Sequence, residues 1–154
     1  MNLRRGTPDD VPFLDAIALA AKAHWGYSAH QITLWQHDLR VKPDSLATAP
    51  VCIAEDDGNT LGFVQVATEG QPWVLDSLFV HPDHMRKGVG KALLQWASQY
   101  AAQHGQHELA INADPNAADF YIAHGAMRVG CVAAPIEGHP QRVRPQLRLL
   151  TGTA

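Results

Sequence analysis

The chain has 154 residues, of which 46% are hydrophobic and 18% are charged, and its formal net charge is -3 with neutral histidines. This length and composition predict one ordinary globular domain over residues 1–154. The small negative charge gives no electrostatic basis for binding nucleic acid or an anionic membrane. The first residues lack the apolar run of a signal peptide, and no stretch approaches the roughly 18 apolar residues of a membrane span. We therefore expect a cytoplasmic protein.

The first part of the chain predicts a short strand followed by two helices. The strand covers residues 2–6. Apolar residues then recur at helical spacing over about 8–22, after a threonine and proline that are typical of a helix start. A second helix is expected over about 29–41, after a break at His24-Trp25-Gly26-Tyr27-Ser28.

The middle of the chain has the two-residue period of strands. We predict strands over 51–55 and 61–68, joined by the tight turn Asp56-Asp57-Gly58-Asn59, and a third strand over 73–80.

The last part of the chain alternates helices with strands. Apolar residues at i, i+3, i+4 and i+7 from Val89 onward predict the strongest helix. The remaining predicted elements are a strand over 107–112, a helix from Asp114-Pro115 to Gly125, and strands over about 126–133 and 146–151. This order of elements indicates an α/β fold with a mixed sheet.

One junction between a strand and a helix has the features of an anion site. The apolar residues up to Val80 are followed by a polar loop, by Gly88 and Gly90, and then by a helix. Unpaired N–H groups and the positive end of the helix dipole attract anions at such a junction. Arg86, Lys87 and Lys91 add positive charge there. Alternatively, the glycines only tighten a basic turn. The spacing matches neither a P-loop nor a dinucleotide-binding fingerprint.

These residues carry a family resemblance. Val80-His81-Pro82 followed by Arg86-Lys87-Gly88-Val89-Gly90 resembles the acyl-CoA-binding motif of the GNAT acetyltransferases, with Met85 in place of the usual Gln or Arg. The segment from Asp114 to Ala126 is similar to a later GNAT block, with Asp114 where Asn is common.

The resemblance implies about seven strands, four helices and acetyl-CoA bound between splayed strands. It implies transfer of the acetyl group to a primary amine of a small molecule or peptide. The residues expected to contact the coenzyme are Leu78, Phe79, Val80, Met85, Arg86, Lys87, Gly88, Val89, Gly90, Lys91, Asn116, Ala117, Phe120 and Tyr121.

Tyr121 and Asp76 are the candidate catalytic residues. The resemblance places the Tyr121 hydroxyl near the thioester sulfur, where a phenol can donate to the leaving thiolate. Asp76 alternates with Val74, Leu78 and Val80 on an apolar strand and is the candidate base that deprotonates the amine. In the simpler alternative, Tyr121 only packs its helix against the sheet, and Asp76 forms a hydrogen bond with the backbone or with Ser77.

The remaining expectations concern the acceptor, metals and partners. His24, Trp25 and Tyr27 border the acceptor pocket by the same resemblance and are candidates for cation–π contact with the amine, or for simple packing. His81 and His84 lack further ligands at metal-binding spacing, so no metal is expected.

Cys52 and Cys131 are expected to be reduced and buried, with a disulfide or a nucleophile as the alternatives. Cys52 has no polar activator nearby in sequence, which favours direct transfer over a covalent cysteine intermediate. A non-catalytic acyl-CoA sensor and a nucleotide-binding protein remain alternatives, and a homodimer is open.

Overall fold

The computed structural model describes residues 1–151 and contains a seven-stranded sheet with four α-helices. The strands are β1 (Asn2–Arg5), β2 (Val51–Asp56), β3 (Asn59–Ala67), β4 (Trp73–Val80), β5 (Glu108–Asn112), β6 (Met127–Ala133) and β7 (Val143–Leu150). The helices are α1 (Val11–His24), α2 (Ala29–Leu39), α3 (Val89–Gln103) and α4 (Ala118–Ala123). Within residues 1–151, no helix is long and apolar enough to cross a bilayer.

The strands follow the order β1-β2-β3-β4-β5-β7-β6 across the sheet. Every neighbouring pair is antiparallel except β4 and β5, which are parallel. The chain reaches β5 from β4 through α3, as a parallel crossover requires. The predicted mixed α/β sheet is therefore confirmed.

The sheet is covered on both faces. On one face, Leu14 and Ile17 of α1 pack on Ile53 and Phe63. On the other face, α3 packs a larger core in which Leu93 is fully buried. The apolar stripe that predicts α3 thus lies against the sheet.

Three predicted element starts are wrong. Residues 8–10 form a 3-10 turn, so that α1 begins at Val11. The helix after β5 begins at Ala118 and not next to Pro115, because the Asp114 carboxylate accepts the N–H of Asn116 and holds a turn there. β7 begins at Val143 and not near 146.

The sheet opens between β4 and β5. Their pairing is confined to three residue pairs, Trp73 with Leu109, Val74 with Ala110 and Leu75 with Ile111. Beyond Leu75, β4 continues to Val80 beside β3 alone. Residues 76–80 of β4, just before the turn that contains Gly88 and Gly90, therefore have a free edge on the β5 side where a ligand can bind.

Candidate active site

The turn before α3 presents unpaired backbone donors. No N–H group of residues 86–91 donates to an acceptor within residues 1–151. Arg86 and Gly88 adopt left-handed conformations, with φ of 63° and 83°. The arginine is strained there, whereas glycine adopts this conformation freely. The exposed side chains of Arg86, Lys87 and Lys91 surround these donors, so the turn has the polarity of a diphosphate site.

Gly90 brings the start of α3 against α4. A Cβ atom built on Gly90 would lie 3.1 Å from an atom of the Phe120 ring. Because glycine has no side chain, the start of α3 at Gly90 can approach Phe120 of α4 closely. Val89 is buried in the core, so it can offer a ligand only its backbone, while Met85 ends the 3-10 turn just before the donors.

Tyr121 lies on α4 and is buried against the α3-side core. Burial raises the pKa of its hydroxyl well above the ordinary value, and the positive charge of Arg144 opposes part of this effect. The hydroxyl makes no hydrogen bond with another residue in the range 1–151. Tyr121 is therefore protonated at neutral pH, with a donor that is free for a ligand.

Asp76 occupies a β-bulge in β4. Gln65 pairs with Ser77 and Val66 pairs with Leu75, which leaves Asp76 without a partner on β3. Leu75 and Leu78 pack on the same core, so the strict alternation that the sequence predicts for this strand is wrong. Bulges of this kind redirect a side chain near active sites.

The Asp76 side chain is exposed where β4 separates from β5. The surrounding protein nevertheless removes part of the water around its carboxylate, and this desolvation raises its pKa. The charge of Lys42 opposes this rise. The carboxylate accepts no hydrogen bond from residues 1–151. A carboxyl with a raised pKa is a stronger base than a free aspartate, as removal of a proton from an ammonium requires.

Asp114 is the centre of a polar group that we call the Asp114 cluster: Lys22, Tyr27, Asp114, Asn116 and Arg142. The exposed side-chain fraction is 5% for Lys22, 6% for Asp114 and 8% for Arg142. The Lys22 ammonium is 2.6 Å from the Asp114 carboxylate, and the Tyr27 hydroxyl donates to it at 2.9 Å. The Asn116 backbone N–H and side-chain amide also donate to it, at 2.8 and 3.0 Å. Arg142 donates in turn to the Tyr27 oxygen at 3.0 Å.

The Asp114 cluster shifts the pKa values of its ion pair. Burial raises the pKa of Asp114, but Lys22 and the hydrogen-bond donors outweigh it and hold this pKa below the ordinary value. Burial lowers the pKa of Lys22, and Arg144 and Arg142 add to that effect, against the attraction of Asp114. The Asp114 carboxylate therefore has its hydrogen-bond donors and a cation, whereas Lys22 is repelled by Arg142 and Arg144.

Aromatic rings surround the Lys22 ammonium. Its Nζ lies 4.9 Å from the centre of the Trp35 ring and 5.4 to 5.9 Å from those of Trp25, Tyr27 and Phe79. The guanidinium of Arg142 also lies over Tyr27, at 5.4 Å. The cation–π partners of Trp25 and Tyr27 in this structure are thus the protein's own cations.

A cleft of about 550 Å³ opens above the Asp114 cluster. Its walls come from the α1–α2 connection, the start of the β5–α4 loop and the β6–β7 loop: Trp25, Gly26, Tyr27, Pro115, Asn116, Ile136, Gly138, His139, Pro140, Gln141 and Arg142. Of the predicted acceptor residues, Trp25 and Tyr27 line the cleft and His24 does not. Asn116, predicted to contact the coenzyme, lies in this wall and donates to Tyr27 at 3.2 Å.

Sequence reasoning missed Lys22, Arg142 and Trp35. The signal for Lys22 was present, because it follows Ala18 by four residues and so extends the apolar face of α1. A lysine on such a face needs a buried partner. Arg142 lies in a proline-rich loop, where sequence spacing carries no such signal.

The cysteines and histidines add no second chemistry. Burial raises the pKa of the Cys52 thiol to about 11, which makes it a poor nucleophile at neutral pH. Cys131 is exposed, so the prediction that both cysteines are buried is wrong for this residue. Residues 1–151 contain no group of three or more His, Cys, Asp or Glu side chains placed to hold a metal ion.

The splayed mixed sheet, the donor-rich turn and the buried tyrosine define a class of α/β protein with a candidate anion site at a strand-to-helix junction. Comparison with known proteins identifies this class. The family model for the acetyltransferase (GNAT) domain matches residues 47–125. The chain belongs to the GNAT acetyltransferase family and is an acyltransferase.

Relatives and solved structures agree with this assignment. The chain is 35% identical over 108 residues to the peptidyl-lysine N-acetyltransferase YiaC of Escherichia coli, covering 70% of each chain. A GCN5-related N-acetyltransferase from Rhodopseudomonas palustris superposes with a TM-score of 0.78 at 26% identity, covering 97% of this chain and 94% of that one. The PaiA N-acetyltransferase of Thermoplasma acidophilum, solved with coenzyme A, has the same fold, with a TM-score of 0.76 at 17% identity over 97% of this chain and 99% of that one.

Proposed function

We propose that this acyltransferase moves the acetyl group of acetyl-CoA to a primary amine of a small molecule or peptide, by direct attack in a ternary complex. The observation that carries the proposal is the row of unpaired N–H groups at residues 86–91, beside the free edge of β4. These donors suit the diphosphate of coenzyme A. PaiA, which shares the fold, was solved with coenzyme A.

The residues at the opening can perform the transfer in one step. Asp76 removes a proton from the acceptor ammonium, directly or through water. The amine nitrogen then attacks the thioester carbonyl, a C–N bond forms and the C–S bond breaks. As the amide forms, its nitrogen gives up its second proton, which passes to the Tyr121 oxygen directly or through water, while the Tyr121 hydroxyl proton moves to the departing sulfur. The raised pKa of the Cys52 thiol argues against a covalent acetyl-cysteine intermediate.

The cleft above the Asp114 cluster is the proposed acceptor site. It borders Pro115 and Asn116, which immediately precede the helix of Tyr121. Trp25 also contacts Phe79 of the splayed part of β4, with ring centres 6.2 Å apart. These two contacts support an acceptor cleft and a diphosphate turn that border the same opening in the sheet.

Thiol release from acetyl-CoA, measured with a broad panel of amines including lysine-containing peptides, tests the proposal. YiaC acts on peptidyl-lysine according to its name, so peptides belong in the panel. We expect thiol release that depends on an amine, with a matching acetylated product by mass spectrometry. Tight binding of acetyl-CoA without turnover across the panel would instead favour a sensor.

The cellular setting is part of the same proposal. We expect the chain to work in the cytoplasm as one catalytic domain, without nucleic acid, membrane or metal, and to be able to form a homodimer. Sedimentation velocity at several concentrations measures the oligomeric state.

A further inference from the structure

Positive charge outnumbers negative charge around Asp114. Lys22, Arg142 and Arg144 act electrostatically on one another and on Asp114, which is the single carboxylate of the Asp114 cluster. The Lys22 and Arg142 nitrogens lie 2.6 and 3.6 Å from the Asp114 carboxylate, so two buried cations share one anion, while the partly exposed Arg144 donates to Asn112. A buried excess of charge is unfavourable unless a further anion balances it.

Arg142 also has an unsatisfied donor. One of its terminal nitrogens donates to the Ala134 carbonyl and the other to the Tyr27 hydroxyl. Its Nε–H is buried and has no acceptor within residues 1–151. A buried donor without an acceptor is unfavourable and marks a place where a ligand oxygen can improve the structure.

The cleft that Arg142 lines contains no acidic residue. Its polar side chains are those of Tyr27, Asn116, His139, Gln141 and Arg142. The nearby Asp114 carboxylate is already bound by Lys22 and Tyr27. A polyamine or another acceptor with several ammonium groups would meet the Arg142 guanidinium here, and the neighbouring Glu137 carboxylate is exposed and lies 4.0 Å from the His30 ring nitrogen.

We infer that the acceptor amine carries a carboxylate, as an amino acid does, and that Arg142 binds this carboxylate in the cleft while the amine points to the opening between β4 and β5. This inference rests on the proposed acetyl transfer. Arg142 lines the cleft, and a shift of its side chain would turn the buried Nε–H toward a carboxylate oxygen. Arginine donors match carboxylates in geometry and charge. The acceptor would then balance the excess of positive charge around Asp114.

Three acceptors that differ only in the carboxylate test the inference on the wild-type enzyme: lysine, lysinamide and cadaverine. We expect kcat/KM to be at least about tenfold higher for lysine than for lysinamide or cadaverine, because a buried charged hydrogen bond is lost with the carboxylate. Equal or better turnover of lysinamide or cadaverine would overturn the inference and leave the acetyl transfer intact.

Substitution of Arg142 tests the binding residue. In Arg142→Gln, we expect KM for lysine to rise about tenfold or more, with KM for acetyl-CoA and for lysinamide changed less than about threefold. Arg142→Lys should restore part of the preference for lysine. Arg40→Gln, at an exposed arginine after α2, is the matched control. A loss of activity shared equally by lysine and lysinamide would show that Arg142 is only structural.

A binding measurement separates this inference from the transfer reaction. The protein saturated with coenzyme A is titrated with N-acetyllysine and with N-acetyllysinamide by calorimetry, which requires no turnover and no variant. Tighter binding of the acid supports the carboxylate site even if the transfer assay fails. Equal or undetectable binding of both compounds contradicts the site even if transfer is observed.

Discussion

At the residue scale, the chemistry rests on a tyrosine that is buried but keeps an unused hydroxyl. Burial holds the Tyr121 pKa well above its usual value, so the phenol stays protonated throughout the range in which enzymes are assayed. A donor without a protein partner can turn to a sulfur atom at no cost in broken hydrogen bonds.

We therefore predict that Tyr121→Phe lowers kcat by about 100-fold or more, as loss of a general acid does. The affinity for acetyl-CoA, measured by calorimetry, should change less than about twofold, because the ring still packs in place. Tyr100→Phe on α3 is the matched control. Wild-type turnover by the Tyr121 variant would remove the tyrosine from the mechanism.

Asp76 should show a trade-off between stability and activity. Its pKa is raised in the folded protein, so folding favours the protonated form. Stability linked to this group is therefore greatest below its unfolded pKa of about 3.9 and is lost as pH rises through the folded value.

Asp76→Asn should raise the free energy of unfolding at neutral pH and lower kcat/KM, since the amide cannot accept the ammonium proton. Urea unfolding and steady-state kinetics measure the two effects. Asp38→Asn on the exposed face of α2 should change neither. Lower stability together with unchanged kinetics would indicate a purely structural aspartate.

At the element scale, the Asp114 cluster joins parts of the chain that are distant in sequence. Lys22 belongs to α1, Asp114 and Asn116 follow β5, and Arg142 lies in the loop before β7. A buried ion pair loses most when one partner alone is removed, because the other charge remains uncompensated.

Asp114→Asn should destabilise the fold by about 3–5 kcal/mol, because it leaves the buried Lys22 and Arg142 side chains without an anion. Lys22→Met should cost less, since Tyr27, Asn116 and Arg142 still face the carboxylate. The double variant should lose less stability than the sum of the single losses. Additive losses in urea unfolding would show that the pair is not coupled.

The helices and strands were largely predictable, because the spacing of apolar residues and the residues that cap a helix lie within each element. The stripe from Val89 and the strand up to Val80 have the predicted types and nearly the predicted bounds. The start of α4 was not predictable in this way, since the Asp114 side chain competes for the turn. The partners of Lys22 were also hidden, because they depend on tertiary contacts across 92 residues.

At the scale of the whole molecule, the sheet consists of two parts that meet in only three residue pairs between β4 and β5. A ligand that enters this opening contacts both parts. We predict that acetyl-CoA at 100 times its Kd raises the free energy of unfolding by about 2.7 kcal/mol.

Hydrogen exchange should locate this stabilisation. Amides of residues 76–80 and 86–91 should become more protected when acetyl-CoA is bound, whereas those of β1 should not change. Protection spread evenly over the sheet would argue against a ligand seated in the opening.

Everything proposed for the reaction depends on the diphosphate of coenzyme A binding to the N–H groups of residues 86–91. Calorimetric titration of coenzyme A into wild type, Gly90→Asp and Gly130→Asp tests this dependence. Gly130 lies in open space on β6, so it receives the same charge without contact with the turn. We predict that wild type and Gly130→Asp bind alike and that Gly90→Asp loses at least about 100-fold in affinity, because its Cβ crowds the Phe120 ring and its carboxylate adds negative charge near the phosphates. Equal affinity in all three proteins, or no binding to wild type, would contradict the placement of the coenzyme.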